Sequence, residues 1–178
     1  NIKFNTDEII FSAGGTSFFK LKETTQNEVV INDGSGDVDF RVESDSDTKL
    51  FFTDGGNNRV AIGADDPKNK FQVMIGGGTN NDGIQIVRND STTTGNEILG
   101  GIGFDSNDGD IPDSILKSSA YVAAYASQTH GTTAKGGYLT FGTAPDNQNQ
   151  NTLSSERIRI QSDGKVGINT TSPSSVLD

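Results

Sequence analysis

The chain has 178 residues, a formal charge of −10 and no cysteine. Its apolar residues, counted with glycine and without tyrosine, make up about 42%, below the roughly 45–50% of an average domain, so one large core is not expected. The acidic balance disfavours a nucleic-acid partner, and the lack of cysteine excludes disulfides and thiolate metal sites. The sequence contains no apolar run that fits a membrane-spanning helix and no signal peptide.

Short apolar or alternating runs, each closed by Gly, Asn, Asp, Ser or Thr, recur along the chain and predict an all-β fold. Segment 114–126 contains alanine and leucine that suit a helix, but its tyrosines and valine suit a strand as well, and we predict a strand there. The other predicted strands are 28–31, 38–42, 50–53, 59–62, 83–87, 98–104, 138–141, 157–160 and 165–168.

The middle of the chain is predicted to be an inserted β module. It opens with a Gly, Thr and Asn string at 76–83, which we interpret as a linker. Within the module, Gly101 and Gly103 leave one strand face without side chains, so another backbone can approach closely. Crowding near a molecular axis and a bulged strand without a partner both remain open as the reason. The polar stretch 146–155 is predicted to be an exposed loop.

One internal repeat is present, because residues 59–67 align with residues 165–173 at an offset of 106 positions. Each copy contains a polar turn, a strand, a second turn, a proline and then an apolar residue four positions later. The residue before the proline is expected to N-cap a short helical turn that begins with the proline. These three residues are Asp66, Pro67 and Phe71 in the first copy and Ser172, Pro173 and Leu177 in the second.

The second copy and the strand before it carry a longer motif. From Glu156 to Pro173 the sequence is ERIRIQSDGKVGINTTSP, which resembles the pattern E-R-(M/I)-R-I-x-x-x-G-x-V-G-I-G-T-x-x-P of phage tail-fibre and related fibre proteins. Segment 136–143 is similar to the strand that commonly precedes that motif, and 39–67 resembles a more diverged copy. Asn169 stands where the family usually has glycine, which fits a position with positive φ. The resemblance implies a homotrimeric fibre and, in many members, a self-cleaving chaperone further along the chain.

The residues that could carry chemistry do not form a recognisable catalytic or metal set. His130 is the sole histidine and is expected to be a loop or interface residue, since no cysteine or second histidine completes a set. The carboxylate pairs Asp105 with Asp108 and Asp110 with Asp113 lie in Gly/Asn-rich sequence that gives no control of their separation. The run 105–110 lacks the EF-hand glutamate, because Leu116 stands at the twelfth position. No nucleotide-binding loop is present.

These observations predict an elongated homotrimeric fibre shaft with short turns and an inserted β module. The predicted division is a shaft segment at 1–73, the module at 74–157 and a second shaft repeat at 158–178. We expect a non-enzymatic virion protein of a tail or head fibre, without a cofactor and without membrane insertion, which contributes to host-cell attachment. A polysaccharide-degrading tail spike, a bacterial trimeric adhesin and a passive spacer remain alternatives. Because the chain begins without Met and stops inside the motif, it is expected to continue at both ends.

The partners expected from this reading are two further copies of the chain and other fibre or tail proteins. A host-cell glycan or protein is a candidate receptor, contacted through exposed loops that a trimer would present three times. No catalytic, cofactor-binding or metal-binding residue is assigned, and no single residue is named as the receptor contact. The candidate receptor loops are 89–96, 106–113 and 146–155.

Overall fold

The structure is a computed structural model that describes residues 1–76, 83–109 and 111–177. It is all-β: three separate open sheets account for the extended strands, and a single 3₁₀ turn at Ile115–Lys117 is the only regular helical element of the described chain. Nowhere in these ranges does a helix reach the length and apolar character that crossing a bilayer requires. The chain divides into two compact units, Asn1–Ile84 and Gln85–Asp178, which are described separately below.

The first unit begins with an antiparallel meander, here called the N-terminal sheet. Its strands follow chain order: β1 (Ile2–Phe4), β2 (Glu8–Ala13), β3 (Thr16–Lys22) and β4 (Glu28–Ile31). The β2–β3 hairpin turns through Gly14 and Gly15, whose φ angles of 57° and 84° suit the tight turns that join twisted strands.

The second sheet of this unit, the repeat sheet, contains the first copy of the repeat. It comprises β5 (Phe40–Val42), β6 (Phe51–Asp54), β7 (Arg59–Ile62) and β8 (Phe71–Val73), in that order. β7 and β8 are parallel, so the loop between them must cross back along the sheet. Pro67 of that loop is fully buried, and Phe52, Ala61 and Ala64 are also buried, which makes this a small core on one side of the sheet.

The second unit is built on one five-stranded antiparallel sheet, here called the C-terminal sheet. Its order is β13-β12-β11-β10-β9, so every strand lies beside its sequence neighbour. The 3₁₀ turn precedes β10 and begins at Ser114, whose hydroxyl accepts a hydrogen bond from the Leu116 N–H. The strands are β9 (Ile98–Phe104), β10 (Ala120–Ala126), β11 (Gly137–Thr143), β12 (Ser155–Ile160) and β13 (Val166–Ile168).

The two repeat copies have the same local geometry. In the first, Val60 pairs in parallel with Phe71, and the Val60 N–H donates to the Lys70 carbonyl at 2.9 Å. In the second, Val166 pairs in parallel with Leu177, and its N–H donates to the Val176 carbonyl at 3.0 Å. Other equivalent positions also match. Gly63 and Asn169 both have positive φ, which confirms the prediction for Asn169. Ala61 and Gly167 are both buried, and so are the prolines Pro67 and Pro173.

Several strand predictions are confirmed, and the differences have physical causes. Segments 28–31, 59–62 and 98–104 are strands with the predicted bounds, and 114–126 divides into the 3₁₀ turn and β10. Segment 83–87 is not a strand, because its alternating residues do not join a ladder. β2 and β3 were not predicted: their adjacent apolar residues break the alternation, and the register shift between Phe11 and Ser12 is the bulge that accommodates them.

One further expectation is wrong. The helical turn expected after Asp66 and Ser172 does not form, and the chain makes bends there instead. Of the predicted linker at 76–83, residues 77–82 lie outside the described residues. Residue 157, the predicted end of the module, lies within β12, which pairs with both β11 and β13, and the division into shaft and module stays a prediction.

The glycines of β9 have a different role from the axial crowding considered above. A Cβ on Gly101 would come within 2.4 Å of the Val122 carbonyl oxygen and 2.7 Å of Ile115 Cδ1, and one on Gly103 would come within 3.3 Å of Ile115 Cα. The close neighbours are therefore the chain's own 3₁₀ turn and β10, and this approach within the chain accounts for the lack of a side chain at Gly101 and Gly103.

We expect Gly101→Ala to destabilise the C-terminal sheet by about 2 kcal/mol, because the added methyl group meets backbone atoms that cannot move aside. Gly131→Ala is the matched control, since a Cβ there meets nothing within 4 Å, and it should change stability by less than about 0.5 kcal/mol. Urea unfolding at one fixed protein concentration measures both. Equal stability of the two variants would contradict the proposed close approach of the 3₁₀ turn.

Candidate functional site

The most extensive unusual feature of the N-terminal sheet is an apolar face that is open to solvent. Residues paired directly across strands project from the same face of a sheet. Phe4, Val29 and Ile2 of this face are 74%, 63% and 59% exposed. The face consists of two cross-strand rows, Ile2-Phe11-Phe19-Ile31 and Phe4-Ile9-Leu21-Val29.

The opposite face of the N-terminal sheet carries a charged cluster beside the apolar Ile10 and Val30. Lys20 and Lys22 both donate to the Asp33 carboxylate, at 2.5 and 2.8 Å, and Lys20 also lies 3.4 Å from Glu8. These hydrogen bonds, from Lys20 first and then Lys22, lower the pKa of Asp33, and the same contact raises the pKa of Lys20. The sheet therefore has one face that suits water and one that does not.

The repeat sheet is amphipathic in the same way. Phe52 and Ala61 project to the buried side, where Pro67 and Ala64 cover them. The alternate residues of these strands project to the other side, which no described segment of this unit buries. That open face carries Phe40, Val42, Phe51, Thr53, Val60, Ile62, Phe71 and Val73.

The C-terminal sheet has the largest open apolar face. Phe104, Ile102 and Ile168 on it are 57%, 55% and 53% exposed. The other side of the same strands is buried, with Tyr121, Ala123 and Thr140 at 6%, 0% and 0% exposure. The open face consists of the rows Ile102-Val122-Phe141-Ile158-Ile168 and Ala124-Leu139-Ile160-Val166, extended by Phe104 and Ala120.

The three open faces leave much of the apolar surface of the described residues exposed. At about 32 Å² per residue on a face, from strand spacing and rise, they measure roughly 350, 250 and 250 Å² for the C-terminal, N-terminal and repeat sheets. A typical monomer exposes one apolar patch of about 300–600 Å², and a standard protein interface buries about 800 Å² per partner. In the described ranges, seven apolar residues are buried and twenty-five large ones are exposed. We refer to the three open faces as the assembly surface.

Glu156 and Arg159, two charged residues of the 156–173 motif, stabilise the covered side of the C-terminal sheet. Arg159 makes a two-point ion pair with Glu156, with Nε–Oε1 and Nη2–Oε2 distances of 2.7 and 2.8 Å. Its guanidinium lies 4.3 Å from the centre of the Tyr138 ring, which stacks on Tyr125 at 5.0 Å. Burial raises the pKa of Tyr125 to about 12, and the hydrogen bond to Glu156 raises the pKa of Arg159. These residues have a structural role and do not lie on the assembly surface.

His130 lies in a turn of the second unit, as the sequence predicts for a loop histidine. Its Nε2 is 3.1 Å from the Gly136 carbonyl oxygen, and its backbone N–H donates to the Thr93 carbonyl at 3.0 Å. The first contact braces the 127–136 loop internally, and the second holds that loop to segment 89–96.

The carboxylates singled out in the sequence are used mainly for local hydrogen bonding. The Asp105 carboxylate accepts from the Ser119 hydroxyl at 2.8 Å and from the Ser106 N–H at 2.9 Å. These two bonds lower the pKa of Asp105. Asp113 pairs with Lys117 at 2.8 Å, which lowers its pKa too. Asp110 lies outside the described residues.

A cluster that sequence reasoning missed lies at the edge of the repeat sheet. The carboxylates of Asp37, Asp39 and Asp54 have oxygens within 4.8 Å of one another. Asp39 accepts from the Gly55 N–H at 3.0 Å, and Asp54 accepts from the backbone and side chain of Asn57, both at 2.8 Å. These bonds lower the pKa of Asp54 and account for the cluster as a set of turn contacts.

Two of the three loops predicted as receptor contacts lie together on the second unit. Loop 89–96 leads into β9, where the Asn96 N–H donates to the Ala126 carbonyl at 2.7 Å. The described parts of 106–113 and 146–155 follow β9 and β11, and residues from both line one cavity, together with Lys117 and Ser119. No local pattern in the sequence indicates that these two loops meet.

The chain was compared with known proteins by family models and by curated sequences. Neither the family models nor the curated proteins contain a match to it. The assembly surface and the two-loop cavity are therefore interpreted from their own geometry.

Proposed function

We propose that this chain is a structural segment of a homotrimeric fibre, whose copies pack the assembly surface against one another. The observation that carries the proposal is the open apolar face on each of three sheets, each opposite a face that is charged or already buried. Exposing that much apolar surface opposes folding of a single chain, at roughly 25 cal/mol per Å². Copies of the same chain are a partner that is always available in the correct ratio.

The choice of three copies rests on the motif from Glu156 to Pro173, which resembles that of trimeric phage fibres. Threefold closure would also protect the sheet edges, whose unpaired backbone N–H and C=O groups can otherwise pair with other chains. Three open sheets that meet around an axis can cover one another's apolar faces and bring their free strand edges together. A twofold sandwich covers the faces but leaves the edges of both sheets open.

The same resemblance supports a place in a virion, as part of a tail or head fibre that contributes to host-cell attachment. In this role the shaft is mechanical, and loops beyond the sheet ends make any receptor contact. Immunogold labelling of intact particles with an antibody to this segment tests the assignment. Label on fibres supports it, and label confined to bacterial cell surfaces supports an adhesin instead.

A glycan-cleaving spike receives no support from the carboxylates. Hydrolysis of a glycosidic bond requires one carboxyl group with a raised pKa to act as the acid. In contrast, hydrogen bonds from Ser119 and Lys117 lower the pKa values of Asp105 and Asp113. Both groups are held in the charged form, which cannot donate the proton.

We expect Phe4→Asp to convert the proposed trimer to smaller species, because it places a charge on an apolar face that association would remove from water. Lys3→Asp is the matched control: Lys3 is the next residue of β1, is also exposed, and projects from the charged face. It should leave the trimer intact. Sedimentation equilibrium of both variants and of the parent chain provides the measurement.

The two variants separate the proposal from a monomeric alternative. Phe4 is 74% exposed in the single chain, so a functional monomer should tolerate Phe4→Asp with little loss of stability. Ile102→Asp applies the same test to the C-terminal sheet. A parent chain that sediments as three copies, together with unchanged mass in Phe4→Asp and Ile102→Asp, would show that other surfaces hold the trimer.

A further inference from the structure

We propose that the cavity between loops 105–109 and 144–150 is a binding site for one neutral sugar residue. The cavity has a volume of about 260 Å³. The inference rests on the proposed attachment role, because a sugar site on a fibre is useful only where the fibre meets a cell surface. It adds a specific place and a ligand class to that role.

The fold places both loops at the same end of the C-terminal sheet. The first loop follows β9, the second follows β11, and Ser119 lies between them just before β10. Ser119 connects the two: its hydroxyl donates to the Asp105 carboxylate at 2.8 Å, and its carbonyl accepts from the Ala144 N–H at 2.9 Å. The floor of the cavity is thus fixed to the sheet by hydrogen bonds.

The second loop is braced internally. The Thr152 N–H donates to the Asn149 carbonyl at 2.9 Å, and the Gln148 side-chain amide donates to the Thr152 carbonyl at 3.0 Å. Further along, the Ser154 N–H donates to the Leu116 carbonyl of the 3₁₀ turn at 2.8 Å. A wall held in this way loses little conformational freedom when a ligand binds, which favours affinity.

The side chains that line the cavity match the hydroxyl groups of a sugar. Asp108 can accept hydrogen bonds from hydroxyl groups, while Gln150, Asn149 and Ser106 provide both donors and acceptors. A ring of hydroxyls, each donor and acceptor at once, can satisfy such a mixed lining. The volume lies just below the roughly 300 Å³ at which sites for drug-sized ligands begin, so one ring is the expected occupant.

Charge determines which sugars fit. The lining includes two carboxylates, Asp105 and Asp108, and one ammonium group, Lys117. Lys117 is already paired with Asp113 at 2.8 Å, so an acidic sugar would meet excess negative charge. The Asp105 carboxylate already accepts hydrogen bonds from Ser106 and Ser119. Asp108 is therefore the main charged group for contact with a ligand. Neutral hexoses and N-acetylhexosamines are therefore the ligand class.

The test is an NMR titration of the assembled full chain, labelled with ¹⁵N and at its methyl groups. The sugars added are glucose, galactose, mannose, rhamnose and N-acetylglucosamine. At least one neutral sugar should produce saturable shifts at Asp108 and Gln150, in the millimolar range expected for a small polar site. Asp108→Ala and Gln150→Ala should each weaken that binding by about tenfold. Thr133→Ala, in an exposed turn elsewhere in the unit, should leave it unchanged.

Each other result overturns the inference. These results are an absence of cavity shifts for every sugar at tens of millimolar, tighter binding of glucuronate than of glucose, and saturable shifts with Ca²⁺ alone. Sedimentation equilibrium of the same samples keeps the two proposals distinct. Loss of sugar binding in an intact trimer removes only the sugar site, whereas a monomeric parent chain removes the fibre proposal.

Discussion

The structure depends on a contrast between the two faces of each sheet, because one face is covered or charged and the other is apolar and open. The small core around Pro67 and the buried row at Tyr121, Ala123 and Thr140 are covered by the protein's own loops. Among the described residues, the opposite faces have no such cover within their own units. Under the proposed function, association of copies would relieve this asymmetry.

The repeat shows how the chain makes a covered face with few residues. In both copies a short strand is followed by a turn with positive φ, a buried proline and a parallel return segment. The return segment lies beside the strand just formed, and the proline closes the inner side. A small residue, Ala61 or Gly167, is needed beneath it because the covering loop comes close to the strand: a Cβ on Gly167 would meet the Thr170 carbonyl oxygen at 2.4 Å. The unit therefore provides its own inner cover and presents an outer apolar face.

The strands and the repeat were largely predictable, because alternation and turn residues are local signals. Strand 98–104 follows directly from such signals, whereas the positive φ of Asn169 was expected from the glycine that the resembling fibre motif usually has at that position. Features that depend on distant contacts were not predictable. Segment 83–87 has the alternating apolar pattern of a strand but pairs with no other strand. In β2, a bulge between Phe11 and Ser12 interrupts the alternation of apolar and polar residues. The partner of Gly101 turned out to be a 3₁₀ turn from the same chain. The cavity between two loops depends on the strand order, which neither loop encodes.

If the proposed trimer is correct, folding of the sheets and association of the chains are one event. Light scattering and circular dichroism, recorded together on a dilution series of the parent chain, measure both processes. We expect a mass of three chains wherever β structure is present, a melting temperature that falls on dilution, and loss of both signals together. A compact single chain that melts cooperatively, at a temperature independent of concentration, would contradict it.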